Sequence, residues 1–116
     1  LSSQDPGFPT DGGIEPGGGA LLAAARAMYD FEPITVGKPS RLYADAVAEA
    51  LGRPTGRIAM FGDSQRADMG IAGHLGADGI LVTGYSVQPV VSGLPAPTYV
   101  CTSLADEPMA HHRVDA

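Results

Sequence analysis

Apolar and polar positions fall into short blocks along this chain, and the blocks predict helices and strands taken in turn. Residues 1–19 are mostly turn formers, with Asp5-Pro6-Gly7, Asp11-Gly12-Gly13 and Pro16-Gly17-Gly18-Gly19, and read as an irregular connector. The Ala- and Leu-rich stretch 20–29 predicts a helix. Pro33-Ile34-Thr35-Val36 is a short β-type run closed by Gly37. Ser40 suits the cap of a helix reaching residue 51, with Leu42, Ala46, Val47 and Ala50 on one face and Gly52 and Pro54 to stop it. Arg57-Ile58-Ala59-Met60-Phe61 reads as a buried parallel strand that ends in Gly62-Asp63. The stretch 66–75 fits a helix with Met69, Ala72 and Leu75 inward, ended by Gly76 as a C-cap glycine. Gly79-Ile80-Leu81-Val82-Thr83 is a continuous apolar strand, and Thr98-Tyr99-Val100-Cys101 a last one. Ser103 suits the cap of a short terminal helix containing Leu104, before a polar tail from His111 that frays.

Strands alternating with helices of this length predict βαβ units. The fold class is therefore α/β, a Rossmann-like parallel sheet with flanking helices. A chain of 116 residues is one domain at most. Its 13 acidic and 7 basic side chains give a net charge of −6, which argues against nucleic acid and against an anionic membrane surface. Cys101 is the single cysteine, so a disulfide framework and a thiolate metal cluster are excluded, and a reducing, cytoplasmic setting is expected. No run approaches the roughly 20 apolar residues of a membrane span. The first residues carry neither a charged start nor an apolar core of a signal peptide.

Chemistry concentrates at three positions. A carboxylate at the carboxyl end of a parallel strand faces the crevice where such sheets bind ligands, which singles out Asp63. Asp68 follows five residues later, in the first turn of the next helix. Lys38, the only lysine against six arginines, sits in Val36-Gly37-Lys38-Pro39-Ser40 after a short strand. Two carboxylates and one ammonium suit a phosphate and a hard cation such as Mg²⁺, which takes one or two carboxylates with waters and phosphate. Each piece also has a plainer role: Asp63 as a turn residue, Asp68 as a charge favouring a helix N-terminus, Lys38 as a solvated surface group. The spacing Gly-Asp-x-x-x-x-Asp together with Lys38 favours the site, and the three groups are expected to converge on one phosphate-sized hollow. Pro16-Gly17-Gly18-Gly19 matches neither the P-loop nor the dinucleotide glycine pattern in full, so a flexible turn is the better reading than a phosphate cradle. His74, His111 and His112 have no ligand-spaced partner, and Cys101 suits a buried apolar position.

With these residues placed, the chain resembles the C-terminal half of a haloacid dehalogenase superfamily phosphatase, closest to subfamily IIA, which includes 4-nitrophenyl phosphatases and phosphoglycolate-type phosphatases. Ser2-Ser3-Gln4-Asp5, Phe8-Pro9-Thr10 and Pro16-Gly17-Gly18-Gly19-Ala20 resemble the return from the cap to the core, with Ser3 where the family usually has Asn. Val36 to Ser40 resemble the lysine motif, and Phe61-Gly62-Asp63-Ser64-Gln65-Arg66-Ala67-Asp68-Met69 with Leu81-Val82-Thr83-Gly84 the acidic metal motif and the following strand. The resemblance implies residues 1–19 as a connector from a cap and 20–116 as the C-terminal half of the core. It implies Mg²⁺-dependent hydrolysis of a small phosphorylated metabolite through an aspartyl-phosphate. Lys38 would bind the phosphoryl group and orient the nucleophile, Asp63 would ligate Mg²⁺ and Asp68 would support that shell. The family's Asp-x-Asp nucleophile motif is absent from these residues, so a preceding half or a second chain would have to supply it. The competing expectations are a non-catalytic half-domain that binds partners, phosphate or metal weakly, with an exposed sheet edge that favours homodimers, and an unrelated nucleotide-binding module resting on the glycine loop.

Overall fold

The computed structural model describes residues 1–52, 58–84 and 90–105. Arg57 and Pro54, and the tail with His111 and His112, lie outside them; of the terminal helix expected to contain Leu104, only Leu104 and Ala105 are described, and they form a turn. The chain divides into two units, Leu1–Lys38 and Pro39–Ala116.

The first unit begins with a hairpin where an irregular connector was expected. β1 (Gly7–Thr10) pairs antiparallel with β2 (Gly13–Pro16), with Thr10 opposite Gly13. Asp11-Gly12 is thus a two-residue loop, an Asp-Gly turn of the kind that closes hairpins. Pro9 and Pro16 obscure this in the sequence, because proline cannot donate to a ladder. In a two-residue hairpin the pair beside the turn is hydrogen-bonded and the pairs then alternate. Pro9 and Pro16 therefore fall at positions where no N–H is required.

α1 (Gly18–Arg26) follows, with Gly17 as its N-cap and no fully buried residue. Gly17 caps this helix and Gly18 and Gly19 begin it, where a flexible turn was expected. Gly17 N–H donates to Pro6 O at 3.0 Å and Gly19 N–H to Asp5 O at 2.9 Å. A Cβ on Gly17, Gly18 or Gly19 would run into the carbonyls of Asp5, Ser3 and Gln4 in turn. The run is glycine because residues 3–5 lie directly on the helix start. The strand expected at Pro33–Val36 is also absent. Ile34 O and Val36 N–H each bond the backbone of Leu1, at 2.9 and 2.8 Å, and this pairing is too short to form a strand.

In the second unit, β3 (Ala59–Gly62), β4 (Asp78–Val82) and β5 (Tyr99–Cys101) form a parallel sheet in the order β3-β4-β5. α2 (Arg41–Ala50) precedes the sheet and α3 (Asp68–Leu75) crosses from β3 to β4. The α/β expectation holds. Ser40 caps α2 by accepting from Tyr43 N–H at 3.2 Å, and Gly76 ends α3 at φ +63°, a left-handed turn that glycine adopts without strain. The buried side of α2 is not the expected one. Ala44 is its buried residue, whereas Leu42 is 56% exposed. α2 packs on α3, where small side chains let two helices approach.

β4 is the expected continuous apolar strand, buried from Gly79 to Val82. Ile80, Val82 and Cys101 form a core cluster with Tyr99 against it. β3 is not the buried strand its composition suggested. Met60 and Gly62 are half-buried, while Ala59 and Phe61 are exposed. α3 covers one face of β3, and among the described residues β3 pairs with β4 alone. Met69 and Ile71 of α3 are almost fully buried, and the latter was not anticipated. Among the described residues no helix is long and apolar enough to cross a membrane.

Candidate functional site

The acidic motif occupies the carboxyl end of β3, where a parallel sheet opens to ligands. Asp63 follows the last strand residue, is exposed, and lines a hollow of about 170 Å³ with Phe61, Gly62, Val82 and Leu104. Gly62 and Val82 are the terminal residues of β3 and β4, so the hollow opens off the sheet's carboxyl edge. An exposed carboxylate there offers hard oxygen donors without the cost of desolvating a buried charge.

Asp68 has a different environment. It is 2% exposed, and its Oδ2 accepts the Ser64 N–H at 3.0 Å. Ser64 reciprocates: its carbonyl accepts Asp68 N–H at 2.8 Å, and its Oγ accepts Ala67 N–H at 3.1 Å. Ser64 and Asp68 thus bond each other across the turn that leads into α3, whose N-cap residue, Ala67, has no side-chain cap of its own. These bonds close the loop 63–67 on itself, and the negative charge sits where a helix N-terminus favours it. Gly62 makes room for it, since a Cβ there would overlap the Asp68 carboxyl group. The roles of Ser64 and Gly62 were not read from the sequence. The Ser-x-x-x-Asp spacing is the signal for the first, and the glycine before the acid is the signal for the second.

Lys38 is the closing residue of the first unit and is exposed. Asp63 and Asp68 belong to the second unit, in one loop and its helix. Among the described residues, no group of three or more His, Cys, Asp and Glu side chains is gathered as a metal cluster. Two carboxylates five positions apart, one open and one holding the loop, nevertheless fit a cation such as Mg²⁺ that needs few protein donors. Pro39 begins the second unit and lies against α3, where a Cβ on Gly70 would meet the Pro39 ring.

The HAD-hydrolase-like family model matches residues 35–107, which include Lys38, Asp63 and Asp68. Phosphoglycolate phosphatase 2 of Arabidopsis thaliana is 36% identical over 76 residues, 66% of this chain and 25% of that protein. The crystal structure of a 4-nitrophenylphosphatase from Thermotoga maritima aligns with a TM-score of 0.60 at 34% identity, over 68% of this chain and 31% of that one. A glycerol phosphate phosphatase from Mycobacterium tuberculosis, solved in complex with calcium, aligns with a TM-score of 0.65 at 27% identity, over 85% of this chain and 29% of that one. The chain spans less than half the length of the relatives it matches. With the motifs, the parallel sheet and these matches in accord, the chain belongs to the HAD-hydrolase-like family, and its relatives and structural neighbours are subfamily IIA phosphatases.

Proposed function

We propose that this chain supplies one half of the active site of a Mg²⁺-dependent phosphatase acting on a small phosphorylated metabolite. The supporting observation is the exposed Asp63 carboxylate at the carboxyl end of β3, on a loop closed by the buried Asp68. Asp63 ligates the cation. Asp68 holds the Ser64 N–H and so keeps that loop, and the Asp63 carboxylate with it, in one arrangement before substrate arrives. Lys38 offers an ammonium to a phosphoryl oxygen, and Pro39 fixes the backbone beside it. Mg²⁺ held by Asp63 would supply positive charge against the negative charge that develops on the phosphoryl oxygens. The nucleophilic carboxylate, which carries the aspartyl-phosphate, comes from a part of the fold outside these 116 residues, either a preceding half or a second chain.

A second reading has its own observation. Phe61 is 44% exposed on β3, and Leu21 and Ile34 of the first unit are 69% and 72% exposed. Apolar surface of this kind suits an interaction module that associates without catalysis.

The test is hydrolysis of 4-nitrophenyl phosphate with and without Mg²⁺, by the 116-residue chain and by the longest polypeptide that its gene encodes. The phosphatase reading expects the short chain to be inert and the longer one to turn over. Lys38→Ala and Asp63→Asn should each abolish that turnover while the chain still unfolds cooperatively in urea. A pure longer polypeptide that is inert with Mg²⁺ sinks the phosphatase reading and leaves the interaction module.

A further inference from the structure

Gln65 stands in the loop that carries Asp63, and its side-chain amide makes a reciprocal pair with the backbone of Val91. Its Nε2 donates to Val91 O at 3.1 Å, and Val91 N–H donates to its Oε1 at 2.8 Å. The amide thereby acts as one rung of a ladder, joining positions 26 residues apart.

Val91 opens a tight turn. Leu94 N–H returns to Val91 O at 3.4 Å, and Gly93 sits at φ +88°, the left-handed position that such a turn requires. Packing gives this turn little support. Val90 and Val91 are 45% and 44% exposed. Gly93, Leu94 and Pro95 face Met69, Gly70 and Gly73 of α3 across an open hollow of about 550 Å³. Side chains bordering empty space lack partner atoms on that side and gain little from dispersion. Among the described residues, both hydrogen bonds that tie the segment 90–96 to the rest of the unit are made by Gln65.

We propose that Gln65 is a positioning residue that couples the 91–94 turn to the acidic loop, so that a cation held by Asp63 orders the turn as well. The turn lies on the connection that leaves β4 at the same carboxyl edge as Asp63. Through Gln65, the turn and the metal-binding loop then move as one body. This inference rests on the reading of Asp63 as a cation ligand.

The experiment is residue-resolved amide exchange on the full chain with and without Mg²⁺, comparing the natural protein with Gln65→Leu, Gln65→Glu and Asp63→Asn. Gln65→Leu keeps the bulk and removes both bonds. It should speed exchange at Val91 and Leu94 by about tenfold or more, with Ile80, Leu81 and Val82 unchanged. Gln65→Glu keeps the acceptor for Val91 N–H and should fall between the two. Mg²⁺ should slow exchange at Ser64 and Val91 in the natural chain, at Ser64 alone in Gln65→Leu, and at neither in Asp63→Asn. Equal Val91 exchange in the natural chain and Gln65→Leu overturns the tether. Mg²⁺ protection that reaches Ser64 but never Val91 overturns the coupling while leaving the metal reading intact. No Mg²⁺ protection anywhere in the natural chain removes the metal reading and the coupling with it.

Discussion

Replacing Gly62 by Ala isolates the fit between β3 and Asp68. A methyl group at Gly62 would overlap the Asp68 carboxyl group, whose Oδ2 holds the Ser64 N–H at 3.0 Å. Asp68 is 2% exposed, so its carboxylate has no open space into which to retreat. Losing a hydrogen bond to a charged group costs about 1.5–3 kcal/mol, and crowding a packed site costs about 1–3 kcal/mol. Against this, alanine gains about 0.5–1 kcal/mol over glycine inside a strand. The sum is a loss of about 2–5 kcal/mol, read as a lower urea midpoint by circular dichroism. Gly73→Ala is the control. It lies in α3, and its new methyl group would meet nothing within 4 Å, so it should gain about 0.5–1 kcal/mol. The decisive measurement is a double-mutant cycle. In an Asp68→Gly background both the carboxyl group and the Cβ that a methyl at Gly62 would meet are gone, so Gly62→Ala should cost less than about 1 kcal/mol. An unchanged penalty in that background would refute the reasoning, as would a natural midpoint for Gly62→Ala alone.

Three smaller effects follow from local geometry. Ser40→Ala removes the cap on Tyr43 N–H and should cost about 1 kcal/mol in the same urea assay. Gly76→Ala meets no neighbour within 4 Å but keeps φ at +63°, so it should cost about 1 kcal/mol through backbone strain alone. Arg41→Ala breaks a 3.6 Å pair with Asp45 whose side chains are 73% and 56% exposed; a midpoint shift outside experimental error would be unexpected, because such pairs are screened.

The elements with strong local signals were legible in the sequence. Ser40 and Gly76 bound α2 and α3 as read, and the unbroken apolar run of β4 marked a strand covered on both faces. Legibility failed where tertiary contacts override composition. Gly17 to Gly19 looked like a loop and are a contact surface for residues 3–5, which spacing alone does not reveal. The hairpin was hidden by prolines that only a known register makes harmless. Phe61 and Leu42 looked like core residues, because apolar character does not say which neighbours arrive to cover it. In the site, Asp63 and Asp68 stood out as a pair with separate tasks, a ligand and its support, but the burial of Asp68 against the Ser64 N–H did not. One is open at the sheet's edge and the other is locked beneath it by Ser64.

The outer side of β3 bears on how a further strand would join this sheet. Its main-chain groups from Ala59 to Gly62 run in a row beyond which, among the described residues, no strand stands. Neighbouring strands lie about 4.8 Å apart, so a further strand joining in parallel would finish beside Gly62. Any reactive group on its final residues would then be delivered next to Asp63 by backbone pairing itself. Registration of the main chain, rather than any loop motion, would bring together an active centre contributed by two stretches of polypeptide.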